Sequence, residues 1–203
     1  MKKLILASNS PRRKELLEDL KYNFDIIPSD INEEIDINKP IDDEIQKLSY
    51  NKAFSVFQNN KDAIVIGADT VVVHNNKIYG KPKDNNEAKL MLQTLRNNTH
   101  SVITAVTIIS SKISETFSSK TDVEFGNIED EEIDELIKEE NLLDKAGSYA
   151  IQGAAKKYIK KINGDYYTVV GLPIYELNQR LKKYYEWNKE KEEVKENNQE
   201  IWK

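Results

Sequence analysis

Two patterns of apolar and polar positions occur along the chain: short apolar runs, and segments in which apolar residues recur every three or four positions. Segments of these two kinds alternate from the N-terminus onward. Short apolar runs predict strands, whereas apolar residues that recur every three or four positions predict amphipathic helices. The predicted strands cover residues 4–7, 24–28, 63–73, 77–80, 101–110, 115–125 and 157–162, and the predicted helices cover 41–57, 85–95 and 129–140, with one more after Ser10 and another from Pro173. This alternation is typical of an α/β domain in which helices cover a sheet.

Two dipeptides predict tight turns between strands. Asn75-Asn76 follows the longest apolar strand and predicts a hairpin with residues 77–80. Asn163-Gly164 separates residues 157–162 from residues 166–170, and the same reasoning predicts that these two segments form a second hairpin.

Composition indicates a single globular unit with a charged tail. The chain has 203 residues, of which 38% are hydrophobic, and this is enough for a substantial core. We expect one domain over residues 1–185. Ten of the eighteen residues in 186–203 are charged with mixed signs, which predicts a solvated C-terminal extension without chemistry of its own.

Charge and residue usage exclude several classes of protein. The net charge of −5 argues against a general nucleic-acid-binding surface, because such surfaces are usually basic. With no cysteine and two isolated histidines, thiolate or histidine metal clusters are not expected, so any metal should be a hard ion bound by oxygen, such as Mg²⁺. No apolar run is long enough for a signal peptide or a membrane span, which predicts a cytoplasmic location and no membrane partner.

The segment SNSPRR, residues 8–13, places positive charge at the beginning of a helix. Ser10 is a favourable N-cap and Pro11 suits the first helical position. The helix macrodipole is positive at this end, so Arg12 and Arg13 are unfavourable there unless an anion binds. Phosphate suits the backbone N–H groups, the dipole and the guanidinium groups together, although an exposed basic turn is the alternative interpretation.

Asp69 is the only charged residue in the run AIVIGADTVVV, which is otherwise typical of a buried strand. A buried carboxylate is costly unless a cation, a metal or hydrogen bonds offset its desolvation. Gly67 in the same strand indicates the close approach of another group. Asp69 is therefore a candidate active-site carboxylate, the alternative being a strand-end aspartate bonded to backbone amides.

Three further charged residues are not explained by simple packing. Lys52 lies on the apolar stripe of the 41–57 helix, so its amine either reaches outward to solvent or points into a site. Lys81 lies between a glycine and a proline, a rigid junction that can fix the direction of a cation. Glu33 lies in a loop after the second strand, where it is either a metal ligand or simply solvated.

Seven segments occur in a fixed order between about residues 4 and 181. They are SNSPRRKELL, the Glu33 loop, Asn51-Lys52-Ala53, GADTVV, GKPKD, THSVITAV and DKAGSYAIQG. In this order they resemble the Maf family of nucleoside-triphosphate pyrophosphatases. One such motif would be weak evidence, whereas seven in the same order are strong evidence.

The resemblance implies a fold and a reaction. The fold would be a central mixed twisted sheet flanked by helices, with a cleft between two lobes, as in Maf and ITPase-like proteins. The reaction would be hydrolysis between the α and β phosphates of a nucleoside triphosphate, assisted by a divalent cation, Mg²⁺ or Mn²⁺. The DKAG and IQG segments resemble members that act on dTTP and UTP, with modified pyrimidine nucleotides as further candidates, and a homodimer is a family-level expectation.

The resemblance also assigns roles to residues. Asp69 matches the general base of the family, and Arg12, Thr70 and Gln152 match its specificity positions. A metal would be held by Glu33 or Asp69, and the sequence does not separate the base role of Asp69 from a ligand role. The residues expected to bind substrate are Ser8, Arg12, Arg13, Lys52, Thr70, Lys81 and Gln152.

The side chain of Gln152 is chemically suited to a pyrimidine. Its carbonyl can accept from N3–H of uracil or thymine while its amide donates to O4. The thymine methyl group adds only about 1 kcal/mol of apolar contact, so both bases are acceptable. Two other functions remain open from the sequence: a nucleotide-binding regulator of cell division or septum formation without essential turnover, and an interaction protein that uses the charged tail.

Overall fold

The computed structural model describes residues 3–184 as a mixed sheet with helices on both faces. The strands are β1 (Leu4–Leu6), β2 (Phe24–Ile26), β3 (Ile64–His74), β4 (Lys77–Tyr79), β5 (Thr99–Ser110), β6 (Ile113–Phe125) and β7 (Ile159–Asn163). The helices are α1 (Pro11–Asp19), α2 (Ile41–Phe57), α3 (Asn85–Leu95), α4 (Asp130–Glu139), α5 (Tyr166–Val170) and α6, described over residues 174–184. The predicted α/β class is therefore confirmed.

Most predicted elements are present with small shifts at their ends. Helices α2 and α3 have the predicted bounds, and the Asn75-Asn76 hairpin forms with both residues at positive φ. Helix α6 begins directly after Pro173, as predicted. The charged extension, residues 186–203, lies outside the described residues. No helix within residues 3–184 is both long enough and apolar enough to cross a membrane.

The prediction of a second hairpin at Asn163-Gly164 is wrong. Residues 166–170 form helix α5 instead of a strand, while β7 pairs with β6. The carboxylate of Asp165 accepts hydrogen bonds from the backbone N–H groups of Tyr167 and Thr168 and so caps the helix. This N-cap satisfies backbone N–H groups that would otherwise need partners in the sheet. It therefore favours the helix, although the segment is rich in β-branched and aromatic residues, which favour strands.

The sheet has the strand order β2-β1-β3-β5-β6-β7, with β4 also paired to β3. Strand β1 is parallel to both of its neighbours, whereas the remaining pairs are antiparallel. Both β1 and β4 lie beside the same edge of β3, because β5 occupies the other edge. β1 pairs with residues 64–66 and β4 with residues 72–74, so residues 67–71 have only β5 as a partner strand in the described part of the chain.

The helices enclose separate apolar clusters around this sheet. One cluster joins α1 and α6 to one face of β1 and β3, and another joins α2 to the opposite face. A third lies at the far end of β5 and β6, where α3 and α4 pack on Val102 and Phe125. The segment of β3 without a second partner lies between these clusters, which gives the predicted cleft between two lobes.

Gly67 allows α2 to lie directly on β3. A Cβ atom built at this position would lie 2.4 Å from the carbonyl oxygen of Ser49 and 2.6 Å from the backbone nitrogen of Ala53. Both contacts are to helix backbone, which cannot rotate away as a side chain can. The close approach that the sequence indicated at this glycine is therefore that of α2.

We expect Gly67→Ala to lower the free energy of unfolding by about 3 kcal/mol, because the added methyl group forces α2 away from β3. Urea denaturation followed by circular dichroism measures this change. Gly80→Ala is the matched control, since nothing lies within 4 Å of its Cβ position. Equal stability of the two variants would contradict the close-packing explanation.

A buried aromatic group surrounds His100 in the third cluster. His100 Nε2 lies 2.7 Å from the hydroxyl of Tyr149, and the His100 ring lies edge-on to Phe125, with centroids 4.9 Å apart. His100 Nδ1 is buried without a hydrogen-bond partner in the described chain. Burial lowers the pKa of His100 to about 4, and the nearby His74 acts in the same direction. His100 is therefore neutral in the folded protein over a range where it is protonated in the unfolded chain.

We expect the free energy of unfolding to fall by about 3 kcal/mol between pH 6.5 and pH 4 because of His100. The sign follows from its lowered pKa: below pH 6.5 the unfolded chain binds a proton that the folded protein does not bind. Denaturation at a series of pH values, in the wild type and in His100→Gln, measures the difference. The slope should become shallower in His100→Gln than in the wild type; an identical slope in the two proteins would contradict the assignment.

Candidate active site

A cavity of about 620 Å³ opens beside the part of β3 that lacks a second partner strand. Its walls come from the turn between β1 and α1, the Glu33 loop, α2, β3, the turn after β4 and residues 144–151. This volume lies within the range that is usual for small-molecule sites. Because side chains alternate along a strand, Asp69 and Thr70 leave β3 on opposite faces, and both line the cavity.

On the α2 face, one lysine joins two carboxylates. Lys52 Nζ lies 2.5 Å from Asp69 Oδ1 and 2.9 Å from Glu33 Oε1. Lys52 and Asp69 are 5% and 6% exposed, whereas Glu33 is about half exposed. The Lys52 amine therefore points into the site and does not reach outward to solvent. Its direct ion pair with Asp69 offsets the desolvation of that carboxylate.

Glu33 connects this buried pair to the mouth of the cavity. Its Oε2 atom lies 3.7 Å from Nζ of the exposed Lys81. Partial burial acts to raise the pKa of Glu33, but the charge and hydrogen bond of Lys52, together with Lys81 and Arg13, outweigh burial and hold the pKa below its ordinary value. Glu33 is therefore ionised at neutral pH, with cations on both sides.

On the opposite face, Arg13 is held by three protein groups. Its Nε donates to the carbonyl of Gly171 at 2.8 Å, Nη2 donates to Thr70 Oγ1 at 2.9 Å, and Nη1 donates to Ser8 Oγ at 3.4 Å. Gly171 has φ +119°, a conformation that L side chains rarely adopt, and this conformation ends α5. Arg13 is fixed by these contacts while it lines the cavity.

Arg12 reaches across the cavity to Asp144, which lies in the loop that follows α4. Its guanidinium lies 3.4 Å from both Asp144 Oδ2 and the backbone oxygen of Asp144. Lys145 also pairs with Asp144, at 2.8 Å. Burial acts to raise the pKa of Asp144, and its contacts with Lys145 and Arg12 outweigh this effect and lower it. These long contacts of Arg12 can be exchanged for a ligand at little cost.

The N-terminus of α1 has the predicted cap. The Ser10 side chain accepts from the backbone N–H of Arg13, and Pro11 occupies the first turn. Ser8 Oγ accepts from the backbone N–H of Ser10 at 3.2 Å, which draws the Ser8 hydroxyl into the cavity wall. The positive end of the α1 dipole therefore adds to the charges of Arg12 and Arg13 at one wall.

The remaining wall is largely apolar. Its residues come from the strands beside the cavity, from the loop that follows α4 and from α5, and they are Val72, Val102, Ala146, Tyr149, Ile151 and Val169. Tyr149 is held there by His100, and burial raises the pKa of its hydroxyl. The cavity thus has a cationic part and an apolar part, an arrangement that suits a ligand with a charged end and an uncharged ring.

The structure brings together all but one of the residues proposed from the sequence. Those that line the cavity are Ser8, Arg12, Arg13, Glu33, Lys52, Asp69, Thr70 and Lys81. Gln152 is exposed and lies next to the cavity residue Ile151 without lining the wall itself. Sequence reasoning missed Asp144, Lys145 and Tyr149 as individual residues, although all three belong to the DKAGSYAIQG segment that it singled out.

Asp69 and Glu33 are the two carboxylates that Lys52 joins in this cavity, and a third, Asp144, pairs with Arg12 and Lys145. No group of three or more His, Cys, Asp or Glu side chains that could hold a metal occurs within residues 3–184. Mg²⁺ commonly binds one or two carboxylates and takes its remaining ligands from water and substrate phosphates. The two carboxylates therefore fit a cation that enters together with phosphate groups.

The fold and the cavity define an α/β protein with a cationic site suited to a phosphorylated ligand. A family model described as Maf-like protein matches residues 3–184. A dTTP/UTP pyrophosphatase of Bacillus cereus (strain G9842) is 48% identical over 184 residues, which are 91% of this chain and 96% of that protein. A dTTP/UTP pyrophosphatase of Bacillus anthracis (strain CDC 684 / NRRL 3495) is 47% identical with the same coverage. This chain belongs to the Maf family.

Solved structures show more distant likenesses. The Staphylococcus aureus Ham1 protein is 14% identical, with a TM-score of 0.44, and the alignment covers 61% of this chain and 72% of that one. Protein VC0702 from Vibrio cholerae is also 14% identical, with a TM-score of 0.35 and coverage of 60% and 61%.

We expect Lys52→Met to lower the free energy of unfolding by about 3 kcal/mol at pH 7, because it leaves the carboxylate of Asp69 buried without its cation. The stabilisation that comes from the Lys52–Glu33 ion pair is fully present above 4.5, the ordinary pKa of Glu33. It is lost as the pH falls through the lower pKa that Glu33 has in the folded protein. The deficit should therefore shrink below pH 4.5. Urea denaturation at pH 7, 5 and 4 measures it.

Lys81→Met is the matched control for this experiment, because Lys81 faces the same Glu33 from an exposed position. Its loss should change the stability by less than about 1 kcal/mol. An equally large loss in both variants would show that burial of the Lys52–Asp69 pair is not the cause.

Proposed function

We propose that this protein hydrolyses the α–β phosphoanhydride bond of dTTP and UTP and releases the nucleoside monophosphate and pyrophosphate. The observation that carries this proposal is the cavity in which Asp69 lies among cationic side chains that include Arg12, Arg13, Lys52 and Lys81. The relatives that are named dTTP/UTP pyrophosphatase support the same reaction and substrates. The protein is accordingly a nucleoside triphosphate pyrophosphatase.

The cations bind and orient the triphosphate. Transfer of a phosphoryl group depends mainly on positioning and on stabilisation of negative charge, so little covalent chemistry is required of the protein. Arg13 is held in place before the substrate arrives, whereas Arg12 exchanges Asp144 for a phosphate oxygen. The pyrophosphate that leaves carries additional negative charge, which the same cations and the N-terminus of α1 stabilise.

Asp69 activates the attacking water. Lys52 donates to Oδ1 of Asp69, and no donor within residues 3–184 contacts Oδ2. Oδ2 is therefore the atom that accepts the proton as the water oxygen bonds to the α phosphorus and the bond to the bridging oxygen breaks. Lys52 orients the carboxylate and offsets its desolvation by a direct ion pair, as a general base in a buried position requires.

We propose Mg²⁺ or Mn²⁺ as the cofactor, held by Asp69 and Glu33 together with phosphate oxygens. When bound, such a cation neutralises phosphate charge and lowers the pKa of a coordinated water. Mg²⁺ usually takes several of its ligands from water and substrate phosphates, which favours entry of the cation with the substrate.

The apolar part of the cavity is proposed to hold the pyrimidine ring. Tyr149 and Val102 provide flat and aliphatic contacts for an uncharged ring, and neither demands a particular exocyclic group. Gln152 lies at the rim, next to Ile151, and is proposed to reach the N3–H and O4 edge of uracil or thymine when the nucleotide is bound. Modified pyrimidine nucleotides are further candidates.

Other proposals concern the whole protein. We propose that residues 1–185 form one domain, that the protein acts in the cytoplasm and that it forms a homodimer. We also propose that its partners are nucleotides and include neither nucleic acids nor membranes, in keeping with the net charge of −5.

We expect purified protein with Mg²⁺ or Mn²⁺ to convert dTTP and UTP to monophosphate and pyrophosphate, and Asp69→Asn to lower kcat by about 1,000-fold or more through loss of the base. Chromatography of the nucleotides together with a pyrophosphate assay identifies both products. Purine triphosphates and CTP complete the panel, and EDTA tests the cation requirement.

Asp25→Asn is the matched control, because this exposed carboxylate on β2 pairs with Lys3 and does not line the cavity. Its kcat should equal that of the wild type. Binding of UTP without turnover by the wild-type protein would contradict the proposal and would favour a nucleotide-binding regulator. Release of orthophosphate would contradict cleavage at the α–β bond.

A further inference from the structure

A chain of hydroxyl groups runs from Arg13 into the centre of the sheet. Thr70 on β3 and Thr104 on β5 are directly opposite each other in the antiparallel register, and their Oγ1 atoms are 2.9 Å apart. Thr104 is fully buried, and its Oγ1 also donates to the carbonyl oxygen of Thr168 at 2.8 Å. Thr104 does not line the cavity, and the proposed mechanism gives it no role.

The single proton of each hydroxyl fixes the direction of this chain. The proton of Thr104 lies towards the carbonyl of Thr168, because a carbonyl oxygen can only accept. The hydroxyl of Thr70 must therefore donate to Thr104, and its own lone pair then accepts from Nη2 of Arg13. All three hydrogen bonds point the same way, so each polarises and strengthens the next.

Thr104 also supports the second contact of Arg13. The carbonyl of Thr168 is in the last turn of α5, where helix carbonyls lack a partner within the helix. By donating to it, Thr104 ties the end of α5 to the sheet. Gly171 follows directly, and its carbonyl accepts from Nε of Arg13. One hydroxyl thus stabilises the acceptors for both Nε and Nη2 of the guanidinium.

We propose that Thr104 is a positioning residue that holds Arg13 in the orientation required to bind the phosphates of the substrate. This inference rests on the proposed function, because it concerns the same cavity. With Nε and one N–H of each terminal nitrogen bound to protein, the guanidinium keeps N–H groups on both Nη atoms for the ligand. Their direction is set by a residue that the ligand never touches.

The test compares three variants of the full chain. Thr104→Val removes the hydroxyl at nearly constant volume, Thr104→Ser keeps the hydroxyl, and Thr107→Val is the matched control. Thr107 is equally buried on the same strand, but its hydroxyl bonds to Ser49 and Thr116 and has no contact with Arg13 or its acceptors. If the Thr104→Val variant does not fold, Thr104→Ala, which removes the same hydroxyl, is used in its place.

The readouts are the dissociation constant of inorganic pyrophosphate by calorimetry, kcat and KM for UTP, and the melting temperature. We expect Thr104→Val to weaken pyrophosphate binding and to lower kcat/KM by about tenfold or more, because a misplaced guanidinium loses both phosphate contacts and alignment. Thr104→Ser should be close to the wild type. Thr107→Val should lower the melting temperature about as much as Thr104→Val does while leaving both functional values unchanged.

Equal pyrophosphate affinity in Thr104→Val and Thr107→Val would overturn the inference, as would failure of Thr104→Ser to restore binding. The proposed function fails separately, if wild-type protein binds pyrophosphate but does not cleave UTP. In that case the binding comparison still tests Thr104, because it requires no turnover.

Discussion

The structure depends on the separation of β1 from β3 after Ile66. Up to that residue the two strands are paired, and beyond it β1 turns into the N-terminus of α1 while β3 continues. Strand β4 does not join the same edge until Val72, so residues 67–71 of β3 have an open edge. An unpaired edge inside a protein is normally a liability. Here it is the floor of the cavity, and it allows side chains from both faces of the sheet to meet.

This arrangement explains why the cations come from different elements. Asp69 faces α2 and is reached by Lys52, whereas Thr70 faces the other way and is reached by Arg13 from α1. A helix on one face alone could supply only one of them. Gly67 contributes by letting α2 approach β3 closely, which shortens the path of the lysine to the carboxylate. Packing and electrostatics at the site therefore depend on the same strand.

The hydrogen bonds around the cavity divide it into fixed and exchangeable parts. Arg13 is held by a carbonyl and two hydroxyls, and one of these hydroxyls, that of Thr70, bonds to the buried Thr104. Within residues 3–184, Arg12 is held only by long contacts to Asp144, and Lys81 is exposed. A binding site for a polyanion gains from both: the fixed cation sets the position of the ligand, and the others follow the ligand without loss of well-packed contacts.

The secondary structure and the candidate catalytic carboxylate could be predicted from the sequence, because both depend on local patterns. Hydrophobic periodicity located the helices and strands, and a single charge within an apolar strand marked Asp69. The helix at residues 166–170 was missed because its cause, the Asp165 cap, competes with residues that favour strands. Which cation pairs with Asp69, how Arg13 is held and where Asp144 lies were decided only by the tertiary structure. These contacts join residues far apart in the chain, and strand order, which no local pattern encodes, brings them together.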